Sequence, residues 1–159
     1  NHGGVDKAIC VYCADHYPMW ETETGKIFTA GTFGENLTVT GLHEKDVKIG
    51  SVYAIGDTQL QVSQPRQPCH KLAKKVGDLS FSDAVIKSGL TGFYFRVLQE
   101  GSIVADDPIG VVSENESAPT IEYANEVMYD RRDGAEGLKR LLAEDALADS
   151  WRRMLTARL

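Results

Sequence analysis

The stretch SVYAIGDTQLQVS, residues 51–63, decides the fold class of this chain. Its two arms, Ser51–Ile55 and Thr58–Ser63, contain β-branched and aromatic residues, which favour strands. Gly56-Asp57 between the arms is typical of a tight hairpin turn. We therefore predict a β-hairpin here, and short apolar runs on either side of it predict an antiparallel or barrel-like β core.

Four further elements are predicted outward from this hairpin. Glu35–Thr40 is expected to form a strand, and Gly92–Leu98 and Ser102–Ala105 are expected to form a second hairpin. Phe81–Ser88 has the pattern of a short helix. For the opening segment, Asp6–Trp20, we also expect a helix. The fold class is therefore mainly β with some α.

The composition changes near residue 115, after which Ala, Leu, Arg and Glu dominate. A polar segment that ends at Pro119 predicts a linker. We therefore divide the chain into a β domain, residues 1–114, and a three-helix domain, residues 118–159. About 40 residues form only a small core, so we expect the three helices to dock on the β part.

The three C-terminal helices are predicted from their caps and apolar faces. The first spans Pro119 to Tyr129, the second begins with a capping box at Asp133, and the third has Asp145 as its N-cap. Leu147, Trp151 and Leu155 recur every four residues, which predicts the buried face of the third helix.

Charge and cysteine content limit the partners and the compartment. The net charge is −6 over 159 residues, which argues against a nucleic-acid partner because such a protein needs a basic face. No apolar run is long enough to span a membrane. Three cysteines predict reduced thiols and a cytoplasmic location. The chain begins at Asn1 without a starting Met, so we expect a piece of a longer protein.

The segment QPRQPCHK, residues 64–71, is the strongest chemical signal. Nearby cations favour the thiolate form of a cysteine, which is a soft metal ligand and a nucleophile, and Arg66 and Lys71 suit an anion. Two interpretations stay open from these eight residues alone. They form either a site that holds a soft group beside an anion, or a turn with a buried Cys69 and solvated cations.

Three other motifs each have a functional and a plain structural interpretation. Cys10 and Cys13 have the spacing of a redox or zinc pair, yet no second pair accompanies them, so we expect two incidental buried thiols. His2 and its two following glycines form either a close backbone approach to a ligand or the end of the chain. The segment 31–37 is either a ligand-binding loop or a glycine turn before a strand.

Four blocks of sequence, taken in order, resemble one known family. They are HGGVDKA at residues 2–8, FGENL at 33–37, QPRQPCHK at 64–71, and the C-terminal helices with YDRRD at 129–133 and WRR at 151–153. Together they resemble the MOSC family (the molybdenum cofactor sulfurase C-terminal domain), and more closely its YiiM-type branch. In the family a further β segment precedes the first block, and this sequence lacks it.

The resemblance implies a MOSC β-barrel-like core with a small C-terminal three-helix appendage. It also implies the molybdenum cofactor, molybdopterin, bound around Cys69, which in the family ligates molybdenum or carries a persulfide. Cys69 is then the catalytic and metal-binding residue. The cofactor-binding residues that the resemblance implies are His2, Gly34, Glu35, Asn36, Arg66 and Lys71.

Two functions follow from this resemblance. The first is an oxidoreductase that detoxifies N-hydroxylated compounds, such as hydroxylaminopurines, by two-electron N–O cleavage at molybdenum. No flavin or nicotinamide motif is present, so we expect a separate flavoprotein reductase as electron donor. The alternative is a sulfur carrier or cofactor-binding module that uses a persulfide on Cys69. The oligomeric state is left open.

Overall fold

A computed structural model describes residues 4–159 and contains one six-stranded sheet that curls into half a barrel. The strands lie in the order β2-β1-β5-β4-β3-β6, and only β1 and β2 run parallel. The predicted class, a mainly β core with C-terminal helices, is confirmed. The strands are β1 (Ile9–Cys13), β2 (Leu37–Val39), β3 (Val52–Ile55), β4 (Thr58–Pro65), β5 (Phe93–Gln99) and β6 (Ile109–Ser113).

The hairpin predicted from the opening stretch is confirmed. Strands β3 and β4 pair antiparallel, with Ile55 opposite Thr58 across the Gly56-Asp57 turn. Strand β4 then pairs with β5 along its other edge, so it lies inside the sheet. The strand predicted at Glu35–Thr40 is also present, as the shorter strand β2.

The second predicted hairpin is wrong. Ser102–Ala105 forms no strand, and the next strand, β6, pairs with β3 instead of β5. The segment crosses the first hairpin turn, where the Asp57 amide donates to the Ser102 carbonyl at 3.1 Å. A Cβ at Gly56 would lie 2.4 Å from that carbonyl oxygen, so the crossing requires a glycine at this turn.

The helix predicted over Asp6–Trp20 is wrong for its first half. Residues 9–13 form β1, which pairs with β2 on one side and β5 on the other. Hydrogen bonds to two neighbours outweigh a weak local preference for helix. The α-helical part begins only at Tyr17, where α1 (Tyr17–Thr24) starts with a proline in its first turn.

Two helices follow β4. The predicted helix at Phe81–Ser88 is confirmed as α3, and it ends at Gly89 in the left-handed conformation. An unexpected helix, α2 (His70–Val76), starts directly after Cys69. The sequence of this segment predicts only a turn or a site there.

Three helices close the chain: α4 (Ile121–Asp130), α5 (Gly134–Leu142) and α6 (Asp149–Thr156). The capping box at Asp133 is wrong, because its carboxylate accepts a hydrogen bond from the Tyr123 hydroxyl and caps no backbone amide. The third helix starts later than predicted, at Asp149 instead of after Asp145, because the Ala148 amide first donates to the Ser63 carbonyl of β4. The predicted burial is confirmed for Trp151 and Leu155 within the helix and for Leu147, which lies just before it.

Two clusters of buried side chains pack on the sheet and its flanking helices. One joins the sheet to the three C-terminal helices and is largely aliphatic. The other is aromatic and lies among α1, α2, α3 and residues 28–33. Among the described residues, no helix combines the length and apolar character needed to span a bilayer.

Candidate functional site

Five of the residues that the sequence analysis selected line one cavity of about 350 Å³. They are Gly34, Asn36, Arg66, Cys69 and Lys71. Two other selected residues are placed differently. Glu35 does not line the cavity, and His2 lies outside the described residues. The cavity thus joins the loop before β2 to the segment between β4 and α2.

Arg66 follows directly after β4 and is almost fully buried, with 9% of its surface exposed. Its backbone amide donates to the Gly92 carbonyl at 3.0 Å, which fixes the point where the chain leaves the sheet. Its Nη1 atom is buried and has no hydrogen-bond partner among the described residues. A buried guanidinium nitrogen without a partner costs free energy, so the position favours an anionic ligand.

Cys69 lies three residues farther along and begins α2 as its N-cap residue. Its carbonyl accepts from the Leu72 amide at 3.1 Å and from the Ser82 hydroxyl of α3 at 2.6 Å. The backbone of Cys69 is thus bonded to both α2 and α3, and the residue itself is half-buried. The thiol is therefore positioned by the backbone on the cavity wall.

Glu35 organises the opposite wall from beneath. Its Oε1 accepts from the Phe33 amide at 3.1 Å. Its Oε2 accepts from the Tyr17 hydroxyl at 2.6 Å and from the Thr38 hydroxyl at 3.2 Å. These donors come from the loop, from α1 and from β2, so the carboxylate shapes the loop and does not face the cavity. The family resemblance implies cofactor binding for Glu35, which stays a prediction.

Gly34 and Asn36 present the loop to the cavity. Gly34 has φ +73, and a Cβ there would point toward Arg66, 4.0 Å from Nη2. Asn36 makes two hydrogen bonds with the backbone of Cys10. Its side-chain Oδ1 accepts from the Cys10 backbone amide at 2.7 Å, and its backbone amide donates to the Cys10 carbonyl at 2.8 Å. This leaves the side-chain Nδ2 as the donor that a ligand can engage.

Sequence reasoning missed several lining residues. Cys10 and Tyr94 are cross-strand partners on β1 and β5, and both side chains reach the cavity. Burial raises the pKa of Cys10 and raises that of Tyr94 to about 12, so both are neutral proton donors at pH 7. No local sequence pattern indicates this pairing, because it depends on the register between β1 and β5. The other lining residues that were missed are Phe33, Leu72 and Lys75.

The cysteine pair at positions 10 and 13 does not act as a pair. Alternation along β1 sends the two side chains to opposite faces of the strand. Cys10 lines the cavity, whereas Cys13 belongs to the largely aliphatic core. Burial raises the pKa of the Cys13 thiol to about 11. All three cysteines are free.

The cavity combines positive charge with one accessible thiol. The cations Arg66, Lys71 and Lys75 line it. Glu35 lies between the lining residues Gly34 and Asn36 in sequence, but its carboxylate accepts a hydrogen bond from Tyr17 outside the cavity. Lys75 also donates from Nζ to the Gly31 carbonyl, which ties α2 to the opposite loop. Such a site can bind an anion and present a soft sulfur atom to the same ligand.

Comparison with known proteins identifies the class. The MOSC domain family matches residues 1–110, and the YiiM-like 3-alpha helix domain matches residues 119–159. The chain therefore belongs to the MOSC domain family, which confirms the resemblance found in the sequence.

Three relatives narrow this class. The crystal structure of YiiM from Geobacillus stearothermophilus superimposes with a TM-score of 0.96 at 46% identity, over 99% of this chain and 80% of that one. The protein YiiM of Escherichia coli is 34% identical over 99% of this chain and 71% of its own length. A protein named Reductase from Gibberella moniliformis is 36% identical over 70% of this chain and 20% of its own length. The chain is thus similar to YiiM proteins along almost its whole length.

Proposed function

We propose that this chain binds the molybdenum cofactor and reduces N-hydroxylated compounds such as hydroxylaminopurines. MOSC domains are generally associated with binding of this cofactor. One observation carries the proposal: the buried Nη1 of Arg66, which has no hydrogen-bond partner within residues 4–159, shares a cavity with the half-buried Cys69 thiol. The relative named Reductase supports redox chemistry for the fold.

The residues present fit the cofactor. A pterin dithiolene already supplies two sulfur ligands, so the protein needs to add one thiolate, and Cys69 is the half-buried cysteine on the cavity wall. The anionic end of the cofactor suits Arg66 and Lys71. Gly34 leaves open the space beside Arg66 that a side chain would fill, and Asn36 offers Nδ2 to a heterocycle.

When bound, the cofactor would supply two-electron redox chemistry at molybdenum. Reduction of R–NH–OH consumes two electrons and two protons and gives R–NH₂ and water. The neutral hydroxyl of Tyr94 and the ammonium groups of Lys71 and Lys75 line the cavity and can deliver those protons. The roles of Cys69 and Arg66 are then to hold the reacting group and to balance its charge.

The electrons are proposed to come from a separate flavoprotein reductase, because the sequence has no flavin or nicotinamide motif. We place the reaction in the cytoplasm, since all three cysteines are free thiols.

The proposal is tested with protein purified from cells that make molybdopterin, mixed with a flavoprotein reductase, NADH and a hydroxylaminopurine. We expect conversion to the aminopurine, and we expect Cys69→Ser to lose more than about 99% of it, because removal of a metal ligand disables the centre. Lys74→Gln, on an exposed position of α2 outside the cavity, is the control and should retain activity. Full turnover by Cys69→Ser would overturn the proposal.

A sulfur carrier is the second candidate. Its support is the half-buried state of Cys69, because a sulfur acceptor must be reached by a donor protein. This function predicts cyanide-labile sulfur on Cys69 in the absence of molybdenum. Wild-type protein that carries such sulfur and no metal would favour the carrier over the reductase.

A further inference from the structure

A second cluster of metal-ligand side chains lies away from the cavity just described. Cys13 ends β1, Asp15 follows in a short 3-10 turn, and His43 comes from the loop after β2. One ligand atom from each of these residues lies within 4.8 Å of the others. Because Cys13 points to the opposite face of β1 from Cys10, this cluster is separate from the Cys69 cavity.

We propose that Cys13, Asp15 and His43 form a zinc-binding site. Thiolate sulfur, imidazole nitrogen and carboxylate oxygen are the ligands that zinc takes in proteins. Bonds of the usual zinc lengths place neighbouring ligand atoms roughly 3–4 Å apart in a tetrahedral site, so only small side-chain movements are needed. The sulfur and nitrogen ligands favour zinc over magnesium or calcium, which prefer oxygen.

The local hydrogen bonds hold these ligands close together. Asp15 Oδ2 accepts from the Gly41 amide at 3.0 Å, which fixes the carboxylate against the loop after β2. The same oxygen lies 2.7 Å from His43 Nε2. A zinc ion would replace this contact, with Nε2 and one carboxylate oxygen as ligands, while Gly41 keeps its bond. Thiolate and carboxylate together balance the two charges of the ion.

The surroundings leave room for a fourth ligand. A cavity of about 230 Å³ borders His43 and is also lined by His16 and Glu44. The His16 ring lies 5.6 Å from the His43 ring, centroid to centroid, and Glu44 Oε1 lies 2.7 Å from His16 Nε2. Cys13 and Asp15 do not line this cavity, so the fourth ligand would be a water molecule from the solvent beside the exposed Asp15, which is the arrangement of an open zinc site.

The test is a zinc titration of the full chain carrying Cys69→Ala, which removes the half-buried thiol of the first site. After dialysis against a chelator, the protein is titrated with Zn²⁺ by calorimetry, and with Co²⁺ as a spectroscopic probe. We expect one ion per chain, a thiolate-to-cobalt charge-transfer band, and a higher melting temperature with zinc, because the ion binds the folded state.

The variants Asp15→Asn and His43→Gln should weaken zinc binding at least ~100-fold, since even partners outside the ligand shell change metal affinity ~10–100-fold. Both positions are at least partly exposed, so these variants should fold. Cys13→Ser should abolish the charge-transfer band, whereas Cys10→Ser and His70→Gln serve as thiol and imidazole controls and should leave it unchanged. Absence of a bound ion, or a zinc affinity unchanged in His43→Gln, would overturn the proposal. Asp15 and His43 would then only form a hydrogen bond between the two loops.

Discussion

The aromatic core and the largely aliphatic core of this protein stabilise different things. The aliphatic cluster joins the sheet to α4, α5 and α6 and contains no residue that lines the Cys69 cavity. The aromatic cluster contains Phe33 and Leu72, both of which also line the Cys69 cavity. Damage to the aromatic core should therefore reach the Cys69 cavity, whereas damage to the aliphatic core should lower stability and leave that cavity unchanged.

The aromatic core holds the site loop through stacked rings. The Phe33 ring stacks on Tyr12 with centroids 3.6 Å apart and an interplanar angle of 8°. The Tyr12 hydroxyl accepts from Trp20 Nε1 at 2.8 Å and donates to the Leu90 carbonyl at 2.9 Å. Phe33 directly precedes Gly34, so the stacked rings fix the position of the Gly34 backbone in the cavity wall.

The largest expected effect is that of Phe33→Ala. The side chain is fully buried, so its removal should cost about 3–5 kcal/mol of unfolding free energy. The loop should also lose its support, and cofactor content per folded chain should fall. Urea denaturation and metal analysis of the folded fraction measure both effects. Unchanged cofactor content would break the proposed link between this core and the site.

The matched change in the other core is Leu141→Ala on α5. Leu141 is fully buried, and its loss should cost about 2–5 kcal/mol. We expect cofactor content per folded chain to equal that of the wild type, because this residue does not reach the cavity. Loss of cofactor here would show that the two cores are not independent.

A smaller effect is expected for Glu35→Gln, which keeps the shape of the side chain. Oε1 and Oε2 accept three hydrogen bonds, and an amide group would place a donor opposite the Tyr17 or Thr38 hydroxyl, or opposite the Phe33 amide. The cost should be about 1–3 kcal/mol, the usual price of leaving a buried polar group unpaired. The variant Thr38→Ala removes only one exposed partner and serves as the milder control in the same denaturation assay.

The smallest effect concerns pH and the attachment of α6. Burial of the Asp6 carboxylate raises its pKa, but hydrogen bonds from the Asp149 amide and Arg96 outweigh burial, so the pKa lies below the ordinary 3.8. The ionised group thus adds stability above that value, and this stability is lost as pH falls through the lower, folded-state pKa.

Asp6→Asn should therefore be less stable than the wild type at neutral pH, with a difference that shrinks below about pH 3.8. Denaturation midpoints from pH 7 to pH 2 measure this difference. A difference that stays constant over this range would contradict the role given to the Asp6 charge.

Two parts of the fold with local signals were predicted correctly. The β3–β4 hairpin has its turn residues between its arms, and α3 has its own periodicity and a glycine end. The failures at β1 and at the second hairpin involve distant partners. Strand β1 depends on pairing with two strands far along the chain, and Ser102–Ala105 bonds to a turn instead of to its neighbour β5.

The same distinction applies to the site. Arg66, Cys69 and Lys71 lie within one short segment, so their joint chemistry was visible in the sequence. Cys10 and Tyr94 meet only through the register of β1 and β5, which no local pattern encodes. The domain boundary predicted between residues 114 and 118 stays a prediction.

The most direct test of the central claim is the molybdenum content of Cys69→Ala compared with the wild type, both made in cells that produce molybdopterin. The account predicts about one molybdenum per wild-type chain, because each chain offers one such thiolate, and almost none in a folded variant. A folded Cys69→Ala protein with full molybdenum content would contradict it.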